Sequence, residues 1–469
     1  MDKPNVLKNL PGVDVVLKGM DEGEYRLPRA YILEVIRSEI QRLREEILQS
    51  DDDLPEPDSL REQVLKNVEM WCKSRSAGSL KSVINATGIV LHTGLGRAPL
   101  SEITIDALHE AAQGYSNLEF DVDSGERGQR NDHIEDLLCA LTGAESGLLV
   151  NNNAAAVMLA LNTLSEGKKA IISRGQLVEI GGSFRIPDVM EKSGATMVEV
   201  GTTNRTHLKD YENAITDDTH LILIAHTSNF KIEGFTASPE LTDLIELAHS
   251  HSIPVMYDLG SGALFDMEQF GLPPELMVSD IVEAGVDVVT FSGDKLIGGP
   301  QGGLIVGKKE YLERIKKNPM TRALRCDKLT YAAMEAALQT YTSSDELKQN
   351  NQTYALLTRS VEALEEIGTT VLNDLNADTI MALGLEMVDA ETEAGSGSLP
   401  TEKMPSKALV IHTDTWTPNK IMRWMRSRDY PIIGYIQNDL CYFNLRAILP
   451  GQIEPLTKAF TELAKVMNS

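Results

Sequence analysis

The residue with the clearest chemical potential is Lys295, in the segment Phe291–Gly303, which reads FSGDKLIGGPQGG. An apolar, β-branched run, Val286–Phe291, precedes it, and glycines follow it closely. Because glycine permits tight turns, the lysine amine can be withdrawn from water while the backbone packs around it. Covalent amine catalysis requires such a desolvated amine. A lone lysine in a glycine-rich loop is more often solvated, so the hypothesis depends on partners elsewhere in the chain.

One possible partner is a phosphate site early in the chain. Asn153, Ala154 and Ala155 follow the apolar run Gly147–Val150 and begin a predicted helix. Small residues at a helix start leave backbone N–H groups open to an anion, and the helix dipole adds to the attraction. An asparagine-capped helix without any ligand is an equally good explanation of this segment taken alone.

Two further polar residues follow predicted strands. Asp258 comes directly after Val255–Tyr257, where a buried carboxylate can pair with a protonated pyridine nitrogen. Asn229 follows Leu221–Ala225 and can donate a hydrogen bond to a phenolic oxygen. Taken singly, each is as readily explained as a cap or a turn residue.

The order of these features along the chain carries more weight than any one of them. Phosphate site, phenolate contact, pyridinium partner and lysine each lie at a predicted strand end. This layout resembles that of the fold-type I pyridoxal-phosphate enzymes. The resemblance implies pyridoxal 5′-phosphate held as a Schiff base on Lys295, with Ser292 completing the cofactor site.

Longer segments resemble a particular family within that fold type. They are INATGIVLHTGLGRAPL, GYSNLEFDVDSGERGQR, VNNNAAAV, YDLGSG, FSGDKLIGGPQGG and GSLPTEKMPSKAL. Together they are similar to bacterial selenocysteine synthase, the L-seryl-tRNA(Sec) selenium transferase family. The similarity covers nearly the whole chain and includes LKNLPGVDVVL near its start.

The resemblance implies a specific reaction. Seryl-tRNA(Sec) would lose its Cα proton to Lys295 and then its β-hydroxyl, giving an aminoacrylyl-tRNA. Selenium from selenophosphate would add to that intermediate to yield selenocysteinyl-tRNA(Sec). Asp294, beside the lysine, is the second candidate catalytic residue, for handling protons or orienting the substrate; a helix cap is the alternative explanation.

Arginines at the positions that match the family are expected to bind selenophosphate. These are Arg97, in GLGR, and Arg322 and Arg325, in TRALR, because guanidinium forks suit a tetrahedral oxyanion. A solvated helix face would also explain the latter pair. Arg127 and Arg130 fit either a loop that reaches a partner subunit's site or a structural salt bridge. The family resemblance further implies a homodecameric ring built from dimers.

Alternating apolar strands and amphipathic helices predict an α/β fold, with a mostly parallel seven-stranded sheet covered by helices on both faces. We expect an N-terminal helical domain for tRNA binding at residues 1–80. A large cofactor-binding domain at 81–345 and a small C-terminal α+β domain at 346–469 would follow. Glu391–Thr401 is predicted to be a flexible loop.

Composition limits the function classes. The 469 residues carry a formal net charge of −25, which argues against broad, non-specific nucleic-acid binding but leaves room for a local basic patch. The four cysteines are scattered without metal-ligand spacing, so we expect reduced thiols and no metal site. No apolar run is long enough for a membrane span, and the N-terminus is unlike a signal peptide. A cytoplasmic enzyme is expected.

Two other functions remain open at this stage. One is a pyridoxal-phosphate β-eliminase or ammonia-lyase acting on a small phosphorylated amino acid or amino sugar, which would not need the N-terminal helices. The other is a catalytically silent tRNA-binding relative, against which the presence of both Lys295 and Asp258 argues.

Overall fold

The computed structural model describes residues 3–20, 24–49, 57–76, 78–181, 184–227, 229–398 and 403–468. The chain divides into two units, Met1–Ser82 and Val83–Ser469. The predicted boundary after residue 80 falls close to this division. The further boundary after residue 345 stays a prediction, because Val83–Ser469 forms a single unit.

The first unit is helical. Its helices are α1 (Lys3–Lys8), α2 (Val13–Lys18), α3 (Arg29–Gln49) and α4 (Pro57–Ser76). Apolar residues recur every three or four positions on α3 and include Ile32, Ile36 and Leu43, which pack in one cluster with Val64 and Val68 of α4. Residues 50–56, between α3 and α4, lie outside the described residues.

The second unit combines strands and helices. Its strands are β1 (Ile84–Asn85), β2 (Ser146–Val150), β3 (Lys169–Ser173), β4 (Glu179–Ile180), β5 (Phe184–Arg185), β6 (Thr196–Val200), β7 (Thr219–Ala225), β8 (Val255–Gly260), β9 (Val288–Ser292), β10 (Gly303–Gly307), β11 (Glu386–Thr392), β12 (Met404–Ile411), β13 (Ile432–Ile433), β14 (Tyr435–Gln437) and β15 (Leu440–Asn444). Its helices are α5 (Glu102–Gln113), α6 (Glu135–Thr142), α7 (Asn153–Ser165), α8 (Ile186–Lys192), α9 (Leu208–Ala214), α10 (Leu241–Ser250), α11 (Val278–Glu283), α12 (Lys309–Lys317), α13 (Met320–Leu324), α14 (Lys328–Gln339), α15 (Ser344–Asn350), α16 (Gln352–Leu357), α17 (Val361–Asn373), α18 (Ala377–Leu383), α19 (Pro418–Arg426) and α20 (Ile453–Met467).

A seven-stranded sheet in the order β2-β10-β9-β8-β7-β3-β6 forms the centre of this unit. The pairs from β9 through to β6 are parallel, whereas β10 runs antiparallel to both β2 and β9. Successive strand residues enter opposite apolar clusters, as Leu148 and Leu149 of β2 do. Both faces of the sheet are therefore covered, and the predicted mostly parallel α/β fold is confirmed.

The parallel strands end at one edge of this sheet, and their last residues and following loops carry the predicted site. Asp258 lies within β8, and Ser292 is the last residue of β9. Antiparallel β10 begins at the same edge, because Gly303 pairs with both Ser292 and Val150. Ligands in open α/β sheets bind at this edge.

A four-stranded antiparallel sheet, in the order β11-β12-β15-β14, lies in the C-terminal part of the unit. Its apolar face packs with α17, α19 and α20 in one cluster. The predicted loop Glu391–Thr401 is only partly a loop, because Glu391 and Thr392 pair with β12 as the end of β11. Residues 399–402 lie outside the described residues.

None of the described helices combines the length and the apolar character that crossing a bilayer would require.

Candidate active site

Lys295 lies in the loop that follows β9, and its side chain is buried, with 6% of its surface exposed. Backbone hydrogen bonds close this loop: Gly293 donates to Gly302, and Gly299 donates to Gly293, both at 2.9 Å. Gly298 has φ +72° and lies against Asn351, where a side chain would not fit. The glycines thus allow the backbone to fold tightly around the amine, as the sequence predicted.

Burial lowers the pKa of the Lys295 ammonium below its ordinary value of 10.5. The negative charges of Asp258 and Asp294 oppose this effect, and the positive charge of Arg97 adds to it. A lowered pKa increases the fraction of neutral, nucleophilic amine at neutral pH.

Asp258 faces Lys295 across the cavity and is held by two donors. Asn153 Nδ2 and Thr290 Oγ1 donate to the same carboxylate oxygen, Oδ1, at 2.8 and 3.1 Å. No described residue donates to Oδ2. Burial raises the pKa of the Asp258 carboxyl, while the two hydrogen bonds and the charge of Lys295 lower it. One carboxylate oxygen is therefore fixed by the protein, and the other is available to a cationic ligand.

The start of α7 is open to an anion. Asn152 caps the helix by accepting a hydrogen bond from Ala155 N at 2.9 Å. The N–H groups of Asn153 and Ala154 have no partner among the described residues, and both residues line the cavity. Ala155 does not line it, and its N–H is already used by the cap. Of the three residues predicted to bind the phosphate, Asn153 and Ala154 therefore remain candidates, and Ala155 does not.

Arg97 and Asp294 form an ion pair beside Lys295, with 2.6 Å between Arg97 Nη1 and Asp294 Oδ2. Arg97 adopts a left-handed conformation, with φ 60°, directly after Gly96. Arg97 Nε is buried without a hydrogen-bond partner. A non-glycine residue at such a φ is uncommon and costs energy, so the surrounding structure holds the guanidinium in place.

These residues meet in one cavity of about 350 Å³. It brings together the following predicted site residues: Arg97, Asn153, Ala154, Asp258, Ser292, Asp294 and Lys295. His226, which the sequence reasoning did not select, also lines it, and its Nδ1 is buried without a partner. Asn229, from the same segment, lies outside the cavity and donates to the Glu179 carbonyl at 2.8 Å. His226 and Asn229 belong to the same short segment, so the sequence alone does not show which of them lines the cavity.

Arg322 and Arg325 do not lie with Lys295. They line a second cavity, on and after α13, together with Arg127 and Arg130. Glu119 lies among these cations: its Oε1 is 2.7 Å from Arg130 Nε and 3.2 Å from Arg325 Nη1. Arg127 reaches the other oxygen, Oε2, at 2.7 Å. Within one chain, the predicted selenophosphate ligands are therefore split between two cavities.

The first cavity fits pyridoxal phosphate. Free N–H groups at a helix start suit the phosphate, the open Oδ2 of Asp258 suits a pyridinium N–H, and the buried amine suits an aldehyde. The unpartnered Nδ1 of His226 and Oδ1 of Asn153 are polar atoms that a polar ligand would satisfy. No cluster of potential metal ligands occurs in the part of the chain that the structure describes.

Known proteins resemble the chain in both sequence and structure. Residues 83–449 match the family described as SelA, L-seryl-tRNA selenium transferase. The chain is 43% identical to the L-seryl-tRNA(Sec) selenium transferase of Alkaliphilus metalliredigens, over 99% of this chain and 100% of that one. It is 42% identical to the protein of the same name from Nitratidesulfovibrio vulgaris, over 97% of this chain and 98% of that one.

Among solved structures, D-glucosaminate-6-phosphate ammonia-lyase superposes with a TM-score of 0.60 at 18% identity, covering 85% of this chain and 99% of that one. This likeness supports the fold-type I architecture of pyridoxal-phosphate enzymes and no particular activity. The sequence matches extend over nearly the whole chain. The chain therefore belongs to the L-seryl-tRNA selenium transferase family.

Proposed function

We propose that this protein converts L-seryl-tRNA(Sec) into L-selenocysteinyl-tRNA(Sec), with selenophosphate as the selenium donor. The observation that carries the proposal is the cavity that joins Lys295, Asp258 and the Arg97–Asp294 pair, in a chain of this family. Over the whole reaction, the serine β-carbon loses its hydroxyl group as water and gains selenium, while water takes the phosphoryl group as the P–Se bond breaks and inorganic phosphate is released.

Pyridoxal phosphate, when bound, supplies the electron sink that makes the serine Cα proton acidic. Lys295 would hold the cofactor covalently in the resting enzyme and would afterwards take the Cα proton on its Nζ. Its lowered pKa suits this role, because a base must be unprotonated at the working pH. Asp258 Oδ2 would hold the pyridine nitrogen in its protonated form, and Asn153 and Ala154 would hold the phosphate with their N–H groups.

The Arg97–Asp294 pair lines the same cavity as Lys295, which supports a role for it with the departing hydroxyl and the arriving selenium. Asp294 is a carboxylate close to Lys295 that can orient the β-hydroxyl or pass a proton to it. Arg97 offers a guanidinium, with its buried Nε unsatisfied, to the selenophosphate oxyanion. Arg97→Ala is expected to spare dehydration of the seryl group and to block selenium transfer. Equal loss of both half-reactions would show a structural role instead.

Arg322 and Arg325 can serve a Lys295 site only from another copy of the chain, because they line a different cavity within one chain. We infer a homo-oligomer in which they face a partner's site, in keeping with the expected ring of dimers. Lys295→Ala and Arg325→Ala chains, each inactive alone, should regain turnover when they are dissociated and reassembled together. Mixtures that stay inactive would contradict a shared site.

The cofactor assignment has a direct test. Protein loaded with pyridoxal phosphate should be yellow, should bleach with borohydride, and should then carry the reduced cofactor on the peptide that contains Lys295. Lys295→Ala should not form this covalent adduct. Wild-type protein that stays colourless after reconstitution would overturn the proposal.

The small-substrate β-eliminase is the less favoured function. Its structural counterpart, the ammonia-lyase, shares 18% identity, whereas the selenium transferases share more than twice that fraction over the full chain. Turnover of a small phosphorylated amino acid without any response to seryl-tRNA(Sec) would reverse this preference.

A further inference from the structure

We propose that the exposed face of α19 (Pro418–Arg426) and the residues next to it form a binding surface for RNA phosphates. This inference rests on the proposed function, because it assigns the surface to the tRNA substrate. The surface, called the α19 face below, consists of Trp416, Lys420, Arg423, Trp424, Arg426 and Arg428. It belongs to the C-terminal part of the chain and not to the N-terminal helices that the sequence predicts to bind tRNA.

The buried side of α19 is wholly apolar. Ile421, Met422 and Met425 are at most 3% exposed and pack in the cluster under the C-terminal sheet. By helical periodicity, the remaining positions lie on the outer side, and the charged ones, Lys420, Arg423 and Arg426, are all basic. In a chain with a net charge of −25, α19 carries three basic residues and no acidic one.

The cations of the α19 face are largely free of carboxylates. Arg423 and Arg426 form no ion pair among the described residues, and Arg428 alone contacts a carboxylate, that of Glu462. The exposed Arg174, by contrast, is paired with Glu199 at 3.0 Å. Unpaired cations keep a positive potential that can attract phosphates.

Two tryptophans hold cations on this surface. Lys420 Nζ lies 3.8 Å from the centroid of the Trp416 ring, and Arg428 Cζ lies 4.4 Å from that of Trp424. An aromatic ring carries no net charge, so it restricts the position of a cation without cancelling its field. Trp416 therefore fixes the Lys420 charge at the surface without neutralising it, whereas Arg428 is also paired with Glu462.

Helix stability alone does not explain this arrangement. Arg423 and Arg426 lie in the last turn of α19, where cations favour the helix dipole. Lys420 lies in the first turn, where a cation opposes the dipole. The dipole therefore does not account for Lys420, and a polyanion must find local cation clusters on a strongly acidic protein. The tRNA backbone is the polyanion that the proposed reaction supplies.

The test compares two double variants of the full-length, cofactor-loaded protein. Arg423→Gln/Arg426→Gln removes two charges from the α19 face. The control, Lys309→Gln/Lys317→Gln, also removes two exposed positive charges that form no ion pair among the described residues. These residues lie on α12, on the sheet edge opposite the active site. The control therefore changes the net charge by the same amount. Binding of seryl-tRNA(Sec) is measured over a range of salt concentrations, with thermal unfolding and cofactor absorbance as checks on folding.

Loss of the α19 charges should weaken tRNA binding about tenfold at moderate salt and reduce the slope of log K against log salt by about 2. The α12 variant should behave as wild type. Equal affinities and slopes in all three proteins would overturn the inference while leaving the proposed function intact. An altered assembly mass with wild-type tRNA affinity would overturn it in favour of a contact between copies. Wild-type protein without affinity for seryl-tRNA(Sec) would overturn both.

Discussion

Asp258 has one carboxylate oxygen fixed by two protein donors and the other open to the cavity. This asymmetry decides where a cationic ring nitrogen can bind, because only one oxygen still lacks a donor. Thr290 is fully buried and supplies one of the two hydrogen bonds. We therefore regard Thr290 as a positioning residue, which acts on the cofactor through Asp258.

Replacement of Thr290 by valine preserves its shape and removes the donor. A hydrogen bond to a charged group contributes about 1.5–3 kcal/mol, so Thr290→Val should weaken pyridoxal-phosphate binding by at least about tenfold. Titration of cofactor-free protein, followed by absorbance, measures this loss. Thr457→Val, at a buried threonine of α20 that donates to Ile453 O, is the matched control and should keep wild-type affinity. Equal losses in both variants would contradict the positioning role.

The pKa of Lys295 gives a pH-dependent prediction. Burial and the charge of Arg97 both lower this pKa, so Arg97→Gln should raise it. The rate at which cofactor-free protein captures pyridoxal phosphate rises with pH as the amine loses its proton. In Arg97→Gln this rise should move to higher pH, whereas Arg314→Gln, an exposed change on α12, should leave it in place. A shift to lower pH would contradict the electrostatic explanation.

At the scale of elements, the start of β10 must lie very close to the start of α7. A Cβ atom added at Gly303 would be 2.1 Å from Asn152 O, which belongs to backbone that cannot move freely. The absence of a side chain at Gly303 therefore allows β10 to pack directly against the start of α7, which we assign to the cofactor phosphate.

Gly303→Ala should destabilise the protein by about 2 kcal/mol, because either β10 or α7 must shift. The same shift should weaken phosphate binding at Asn153 and Ala154. Chemical denaturation and cofactor titration measure the two effects. Gly451→Ala is the control, since an added Cβ there meets nothing within 4 Å. Wild-type stability in Gly303→Ala would show that the junction is looser than the structure indicates.

Most of the residues predicted from strand ends line one cavity, because the carboxyl ends of parallel strands meet at one edge of the sheet whatever the loops do. That rule placed Asp258, Ser292 and Lys295 together. It failed where the direction of a loop decides, as with Asn229, which turns towards Glu179 and leaves the cavity wall to His226. It also could not show that the Ala155 N–H would be taken by the Asn152 cap.

At the scale of the whole molecule, the sequence reasoning placed Arg322 and Arg325 beside Lys295, and the structure places them in another cavity. Motif spacing identifies residues that belong to a reaction but does not say which copy of the chain they serve. The fold class itself was predictable, because seven short apolar strands separated by helices allow few other arrangements.

The separate N-terminal unit, Met1–Ser82, gives a prediction at this scale. A chain that begins at Val83 keeps every residue of the cavity and should bind pyridoxal phosphate as wild type does. It should lose most of its affinity for seryl-tRNA(Sec), because the sequence predicts that the N-terminal helices bind tRNA. Unchanged affinity after truncation would contradict that prediction and leave tRNA binding to the rest of the chain.

The most direct test of the account is a turnover assay on purified protein loaded with pyridoxal phosphate, with seryl-tRNA(Sec) and selenophosphate as substrates and mass spectrometry of the aminoacyl group. We predict formation of selenocysteinyl-tRNA(Sec), and no product with Lys295→Ala. A fully loaded wild-type protein that leaves the seryl group unchanged would contradict the account.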